Sequence, residues 1–501
     1  MPTHHEVERA YAVGPTDLLP DLGGLEGVAT VTEPATATLV ATYLDTADLD
    51  FVRAGVTLRR RVGGSDEGWH LKVPAGDGRD EVRRALGSSV AVPQALARTV
   101  LGWTRGRPLV PVAVIETVRT TTYLLDLDGV VLAEVADDVV VGTPTGGTAV
   151  AWREVEVELV AAPPALLDDA DVLLARSGIH PSTEQRKIGT VLAEQLAALA
   201  PAPEPSADGP AGLVLHARLL ALAAELRARD CDVRRGVDDG VHQLRVACRR
   251  LRGALATYRP LVDRAVADPL RDELGWLART LGDGRDAEVI RDRLRDGVAQ
   301  LPRAQVVGPV RRRIDRTYAE RLRVADRHAQ QVLDSPRYRR LLDRLTAVVD
   351  QPPWTPKADK RATKVLPRRV ERDWERVRDA LDVARALEGT AAHDEALHDV
   401  RKAAKRLRYA CETLEPAWGA EAKRLRKAAQ EVTRVLGDRQ DSAVARGELR
   451  RIAREATGAG ESAFSYGVLH AREEAVSTAR ETELDDVWEA LADPALREWL
   501  S

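Results

Sequence analysis

The sequence predicts an α+β chain of two domains: an antiparallel, strand-rich domain over residues 1–200 and an all-α domain of two similar halves over residues 213–501. Three observations predict it. The period of the apolar residues changes from two to between three and four across PAPEPSADGPAG, residues 201–212, whose four prolines suit neither a helix nor a central strand and mark a linker. Charge changes at the same place: 17 basic and 28 acidic residues precede residue 201, and 57 basic and 50 acidic residues follow. The helical part also repeats itself, with one half at about 213–350 and the other at 357–501, joined by QPPWTPK at 351–357.

Composition narrows the class. The 501 residues are 44% hydrophobic and 30% charged, with a net charge of -4, an ordinary soluble composition that selects no partner by itself. Three scattered cysteines, Cys231, Cys248 and Cys411, make neither a disulfide framework nor a thiolate metal site. No run of about 18 apolar residues occurs, and the start lacks a basic region followed by an apolar core, so a cytoplasmic protein without a membrane partner is expected.

Strand signals in the first domain come in order at His5–Tyr11, Val56–Val62, Gly68–Val73, Tyr123–Leu127, Val130–Val135 and Trp152–Val160, with a turn at Leu127-Asp128-Gly129-Val130. Because the side-chain period of a strand is two, Glu6 and Glu8 share one face, and Glu154, Glu156 and Glu158 share another with valines behind them. Three like charges in a row repel. They become tolerable where that face lines a wet cavity with a divalent cation or a basic partner strand. Cations of matching parity are present: Arg59 with Arg61, Lys72, Arg83 beside Glu81, and Arg119. Facing inward around a barrel, these sets make a polar lumen, basic on one side and acidic on the other.

Helical signals run from Leu213 onward. VHQLRVACRRLRGAL at 241 matches LHDVRKAAKRLRYAC at 397, an offset of 156, and Leu281-Gly-Asp-Gly-Arg-Asp286 matches Leu436-Gly-Asp-Arg-Gln-Asp441 at an offset of 155. In one copy His242, Arg245, Arg249 and Arg252 form a single stripe; in the other His398, Arg401, Lys405 and Arg408 repeat it, with Lys402 beside them. Leu244, Cys248, Leu251 and Leu255 lie about a quarter-turn away, so the cations flank a packed seam. A solvated helix face carries charge too, but has no reason to repeat one order of residues twice. Two stripes brought together concentrate positive charge in a groove, for which a polyanion is the natural partner. Each histidine is as readily a capping or core residue as a ligand contact, and neither copy has the i+4 ligand that a metal would need.

These segments resemble the CHAD family, the conserved histidine α-helical domain, over about residues 213–500. The resemblance implies two similar helical halves binding inorganic polyphosphate in a basic central groove, at His242, Arg245, Arg249, Arg252, His398, Arg401, Lys402, Lys405 and Arg408, and a setting at polyphosphate granules. Nucleic acid is the disfavoured polyanion, since the helical half shows no nucleic-acid module and no aromatic platform for stacking bases.

The first domain resembles the CYTH family, the triphosphate tunnel metalloenzymes, over about residues 4–198. The match rests on the Glu6-x-Glu8 strand, Tyr43-Leu-Asp45-Thr46, Gly55 to Arg61, Trp69-His-Leu-Lys72, Glu134 to Asp138, Glu154 to Glu158 and Pro181 to Lys187. It implies an antiparallel eight-stranded tunnel hydrolysing inorganic or another triphosphate with Mg2+ or Mn2+. Carried over by position, Glu6, Glu8, Asp138, Glu154, Glu156 and Glu158 are the metal side. Arg59, Arg61, Lys72, Arg83, Arg119 and Lys187 are the triphosphate side, and Glu6, Glu8, Arg59, Arg61, Lys72 and Arg119 are the catalytic set. One departure stands out: the family lysine of E-x-E-x-K falls at Ala10, and Arg9 faces the other way. Two functions therefore stay open: a metal-dependent triphosphatase attached to a polyphosphate binder, and a non-catalytic polyphosphate-binding protein whose tunnel only holds phosphates.

Overall fold

One kink at Val7 lets the N-terminal segment belong to two walls of a barrel at once. In the computed structural model, which describes residues 3–182, 186–199 and 203–500, the strands are β1 (Thr3–Glu6), β2 (Glu8–Val13), β3 (Thr30–Val31), β4 (Ala35–Asp45), β5 (Thr57–Val62), β6 (Gly68–Ala75), β7 (Gly78–Arg84), β8 (Val110–Leu125), β9 (Val131–Pro144), β10 (Val150–Leu159) and β11 (His180–Pro181). They hydrogen-bond in the order β1-β7-β6-β5-β4-β8-β9-β10-β2-β11, with β3 on β8, and every pairing is antiparallel. Since β1 and β2 are consecutive, β1 on β7 and β2 on β10 close the circuit into eight walls. Closure removes the sheet edges.

Strand parity then sorts the side chains. On β10, Val155 and Val157 point outward and pack under Leu166, Leu167, Ala170 and Leu174 of the helix Ala165–Ala175. Glu154, Glu156 and Glu158 point inward. Arg9 points outward, to Asp168 and Asp171 on the same helix. One end of the interior is apolar: Ile188 and Val191 of the short helix Lys187–Val191 pack inside against Ala41, Tyr43, Ile115 and Val140. Gly142 permits this entry, because a Cβ there would come within 2.2 Å of Val191. Of the Pro181–Lys187 motif, Thr183, Glu184 and Gln185 lie outside the described residues.

Residues 1–201 and residues 202–501 form two compact units, each with its own core. Pro201 and Ala202 lie outside the described residues; from Ala207 onward the Pro-rich segment is bonded to the helical unit. Thr363 N donates to Ala207 O, and Ala211 N to Lys360 O at 2.8 Å. The joining segment is likewise docked, with Thr355 N on Leu261 O at 2.9 Å.

The helical unit follows the repeat. Helices Ala211–Arg235 and Gly240–Thr257 correspond to Pro367–Ala386 and His393–Trp418. Arg264–Thr280 and Gly282–Ala299 correspond to one continuous helix, Ala420–Gly458. The apolar seam beside the first stripe, Leu244, Cys248, Leu251 and Leu255, is fully buried and shares one core with Val400, Leu407 and Cys411 from the second. A second core joins Ile290, Leu294 and Ile314 to Leu449, Ile452 and Tyr466, so both cores draw on both copies. All three cysteines are buried and free. Among the described residues no helix is long and apolar enough to cross a membrane.

Candidate functional site

The polar half of the barrel encloses a cavity of about 410 Å³. Glu6, Glu8, Arg59, Arg61, Lys72, Arg83, Arg119, Glu156 and Glu158 all line it, as the strand parities require, and Lys187 joins them from its short helix. Asp138 and Glu154 stand behind that lining, with side chains 0% and 8% exposed.

The carboxylates form two groups with different electrostatics. Deep in the wall, Asp138, Glu154 and Glu156 offer oxygens within 4.8 Å of one another, a set able to hold a metal ion. The protein's own cations already occupy it. Lys187 Nζ lies 2.5 Å from both glutamates and 3.0 Å from Asp138, while Arg119 donates to Asp138 at 2.8 and 2.6 Å and to Glu156 at 2.6 Å. Although burial acts the other way, Lys187 and Arg119 hold the Glu156 carboxyl well below the usual carboxylate range. Nearer the opening, Glu158 of β10 is in register with Glu8 of β2 on one side and Glu134 of β9 on the other. Cations stay at a distance from this row: Arg79 is 3.8 Å from Glu8, Arg119 is 4.0 Å from Glu134, and His4 is 3.9 Å from Glu158. Burial, then the neighbouring Glu6, Glu8 and Glu134, push Glu158 up to about 7. This row lines the cavity with Lys72 also acting on Glu158, but among the described residues it is Asp138, Glu154 and Glu156 whose oxygens lie close enough together to share a metal ion, which takes oxygen ligands. Glu6 sits beside the row, bonded to Lys72 at 2.5 Å and 3.6 Å from Arg83.

The basic wall is braced by residues to which the sequence reading assigned no site role. Arg59 donates to the Tyr43 hydroxyl at 3.2 Å, and Arg61 pairs with Asp66 in the β5–β6 loop. Burial and the adjacent Arg59 and Arg119 push the Arg61 guanidinium down to about 9, the mark of a site short of negative charge. Glu81, fully buried, takes His70 Nδ1 at 2.8 Å and also pairs with Arg83. Asp45 aims the connection into β5 by accepting the backbone N–H groups of Thr46, Phe51 and Val52 at 2.7, 2.9 and 3.0 Å. Glu134 was legible as the parity partner of Asp138, two strand steps away. Its pairing with Glu158 depends on the β9–β10 register and was not.

Ala10 is buried and in register with Glu156. Lys187, from the far end of the domain's sequence, supplies the cation beside that glutamate.

In the helical unit the two stripes meet. Burial, then Arg401, Arg249 and Arg408, push the Lys405 ammonium down to about 7, so cations of both copies share one neighbourhood. The LGD motifs explain how the stripes lie down. Arg245 Nη1 donates to Gly282 O at 3.0 Å and to Asp286 at 3.1 Å. Arg401 lies so flat over Gly437 that a Cβ there would stand 2.9 Å from its Nη2. Each motif glycine is the floor under its own copy's arginine. The Nε atoms of Arg245, Arg249, Arg252, Arg401 and Arg408 are buried without a hydrogen-bond acceptor. Arginines elsewhere, such as Arg218, Arg369 and Arg497, share that feature, so what sets the stripes apart is the gathering of like charge from both copies. Burial and Arg285 push His242 below its ordinary value, and His398 Nδ1 meets Gln440 Oε1 at 2.5 Å. Lys402 is exposed and paired with Asp399, apart from the buried cluster. A larger cavity, about 1030 Å³, opens between the helices Gly282–Ala299 and Val310–Asp334; acids such as Asp238, Asp239, Asp286, Glu288 and Asp326 dominate its charged lining, which suits no polyanion.

A closed antiparallel barrel with a charged lumen, followed by a duplicated helical unit with paired basic stripes, defines a two-domain class of proteins. Residues 4–185 match the CYTH domain and residues 217–450 the CHAD domain. The chain is 36% identical over 490 residues to two uncharacterized proteins of Mycobacterium tuberculosis, MT2285 and Rv2226, covering 94% of this chain and 93% of each relative. Among solved structures it is similar to the CHAD domain from the plant Ricinus communis, at 25% identity over 59% of this chain and 96% of that one, TM-score 0.45. PptA from Streptomyces chartreusis is 23% identical over 56% of this chain and all of that one, TM-score 0.46. A putative adenylyl cyclase from Hippeastrum, described as having a dominant triphosphatase activity, is 15% identical over 39% of this chain and 97% of that one, TM-score 0.23. The chain belongs to the CYTH and CHAD families, one in each domain.

Proposed function

We propose that the barrel is a metal-dependent phosphoanhydride hydrolase acting on triphosphate or short polyphosphate, and that the helical domain binds inorganic polyphosphate. The observation that carries the first part is the in-register row Glu8–Glu158–Glu134 facing Arg59, Arg61, Lys72 and Arg83 across one cavity. Glu8, Glu134 and Glu158, with Glu6 beside them and Asp138, Glu154 and Glu156 deeper in the wall, would hold Mg2+ or Mn2+; such an ion, when bound, neutralises phosphate charge and lowers the pKa of a bound water. The rest falls to the chain's own groups. Arg59, Arg61 and Arg83 donate to phosphate oxygens, and Lys72, tethered by Glu6, places an ammonium between the two walls. The apolar plug at Ile188 and Val191 closes one end to water, which strengthens these charges.

Catalysis is favoured over mere holding by Lys187. The cation missing at Ala10 is replaced at its cross-strand neighbour Glu156, so the deep wall is neutralised without it. The test is phosphate release from triphosphate with Mg2+ or Mn2+: wild type turns over, and Glu8→Gln with Glu158→Gln does not. A wild type that binds triphosphate but releases no phosphate with either metal establishes the holding protein instead. For the helical domain, the gathering of Arg249, Arg401, Lys405 and Arg408 from both copies supports an anion of repeating charge without bases. Its test is long-chain polyphosphate binding that weakens steeply with salt and is lost in Arg249→Ala with Arg401→Ala.

A further inference from the structure

The duplication preserves more arginines than the stripes, and the two copies treat them differently. At the offset of the LGD motifs, Arg271, Gly275 and Arg279 on the helix Arg264–Thr280 correspond to Arg426, Gln430 and Arg434 on the helix Ala420–Gly458. In the second copy these cations have acidic partners. Arg426 pairs with Glu415 at 2.8 Å, Arg434 pairs with Glu431 and Glu483, and the stripe residue Arg408 is 3.7 Å from Glu412 while stacking on Tyr409.

In the first copy Arg271 pairs with Asp268 at 3.0 Å, but among the described residues neither Arg252 nor Arg279 forms an ion pair. Instead they converge. Gly275 leaves a floor on which the Arg252 guanidinium carbon and Arg279 Nη1 both come within 3.2 Å of the point where a Cβ would stand. Arg252 is half-buried and its Nε has no acceptor. Beyond burial, the groups acting on it are mainly Arg279 and Arg271, opposed by Asp272. Arg252 is half-buried while Arg279 is exposed at its side, and two guanidinium groups brought together repel unless an anion lies between them.

We propose that Arg252 and Arg279, over Gly275, form a further phosphate subsite that extends the groove at the first copy's end only. This rests on the polyphosphate reading of the stripes and adds a direction to it. Arg252 is one turn beyond Arg249 on the same helix face, so a phosphate chain lying on Arg249, Arg401 and Lys405 continues onto the subsite. At the opposite end Arg426 and Arg434 are ion-paired and Arg408 stacks on Tyr409 at 3.7 Å from Glu412, so the chain is held there less strongly. The groove, symmetric in sequence, is polar in charge.

The test measures long-chain inorganic polyphosphate binding to the full-length protein across a range of salt, with circular dichroism confirming helicity. Arg279→Gln should weaken binding about tenfold or more, the loss expected for a charge-assisted contact, and lower the salt slope by about one. Gly275→Gln, which installs the second copy's residue, should do the same without removing a charge. Arg434→Gln, the symmetry counterpart, should leave binding unchanged. If Arg279→Gln and Arg434→Gln weaken binding equally, general charge accounts for both and the subsite is rejected. If neither weakens it while Arg249→Ala with Arg401→Ala abolishes it, the subsite is wrong and the central groove stands. If that pair also leaves binding intact, the polyphosphate reading itself fails.

Discussion

Gly437 separates the requirements of the fold from those of ligand binding at a single residue. It sits inside a helix, where alanine is favoured over glycine by roughly 0.5–1 kcal/mol, yet a Cβ there would displace the Arg401 guanidinium. Gly437→Ala should therefore leave thermal stability unchanged or raised while weakening polyphosphate binding about tenfold or more; a variant that binds normally would show that Arg401 needs no floor. Lys405 gives a pH signature. Its ammonium is held down to about 7 in the free protein, and a bound phosphate chain favours the charged form, so binding takes up a proton. Affinity should be fullest below about pH 7 and fall as pH rises toward roughly 9, and Lys405→Arg should flatten that profile. His242, pushed below its ordinary value, adds charge only at lower pH. Calorimetry in buffers of different ionisation enthalpy measures the proton uptake directly.

Among the elements, the β4–β5 connection shows how much of the lumen depends on a residue that never enters it. Asp45 satisfies three buried backbone donors, and its replacement by alanine leaves all three unpaired. Asp45→Ala should cost about 3 kcal/mol or more in the barrel's urea transition and weaken triphosphate binding through Arg59 and Arg61. An unchanged transition midpoint would mean that water takes over the three donors. The same connection marks what the sequence could reveal. Parity alone placed the inward carboxylates and cations correctly, because a strand's alternation is local. β4 escaped notice and β8 and β9 were read only at Tyr123–Leu127 and Val130–Val135, in large part because their outer faces carry many valines and threonines, for example Val118 paired with Val139, and the alternation fades. Which carboxylates stay short of positive charge depended on register and on Lys187, some thirty residues beyond Glu156 and brought in by a helix that plugs the barrel. The basic stripes were legible because helical spacing and duplication are both written in one dimension. That Arg279 converges on Arg252 depends on the packing of two helices and is not.

At the scale of the molecule, the two domains carry complementary charge and separate cores. The barrel's unit contains its own plug, braces and carboxylate row, and none of the ion pairs described for the lumen involves a residue beyond 201. The helical unit likewise carries both basic stripes on its own helices Gly240–Thr257 and His393–Trp418. On the proposed function, joining the two sites would act through local concentration: a chain retained on the helical domain would be presented repeatedly to the barrel. This yields a split that neither domain shows alone. Arg249→Ala with Arg401→Ala should leave kcat and KM for triphosphate at wild-type values while raising the KM for long-chain polyphosphate ends. Glu8→Gln with Glu158→Gln should abolish turnover of both substrates and leave long-chain binding intact. Steady-state kinetics on the two substrates, with binding measured in parallel, check both halves. Should the groove substitutions lower triphosphate turnover as well, the domains are coupled through their structure, and tethering is not the reason they share a chain.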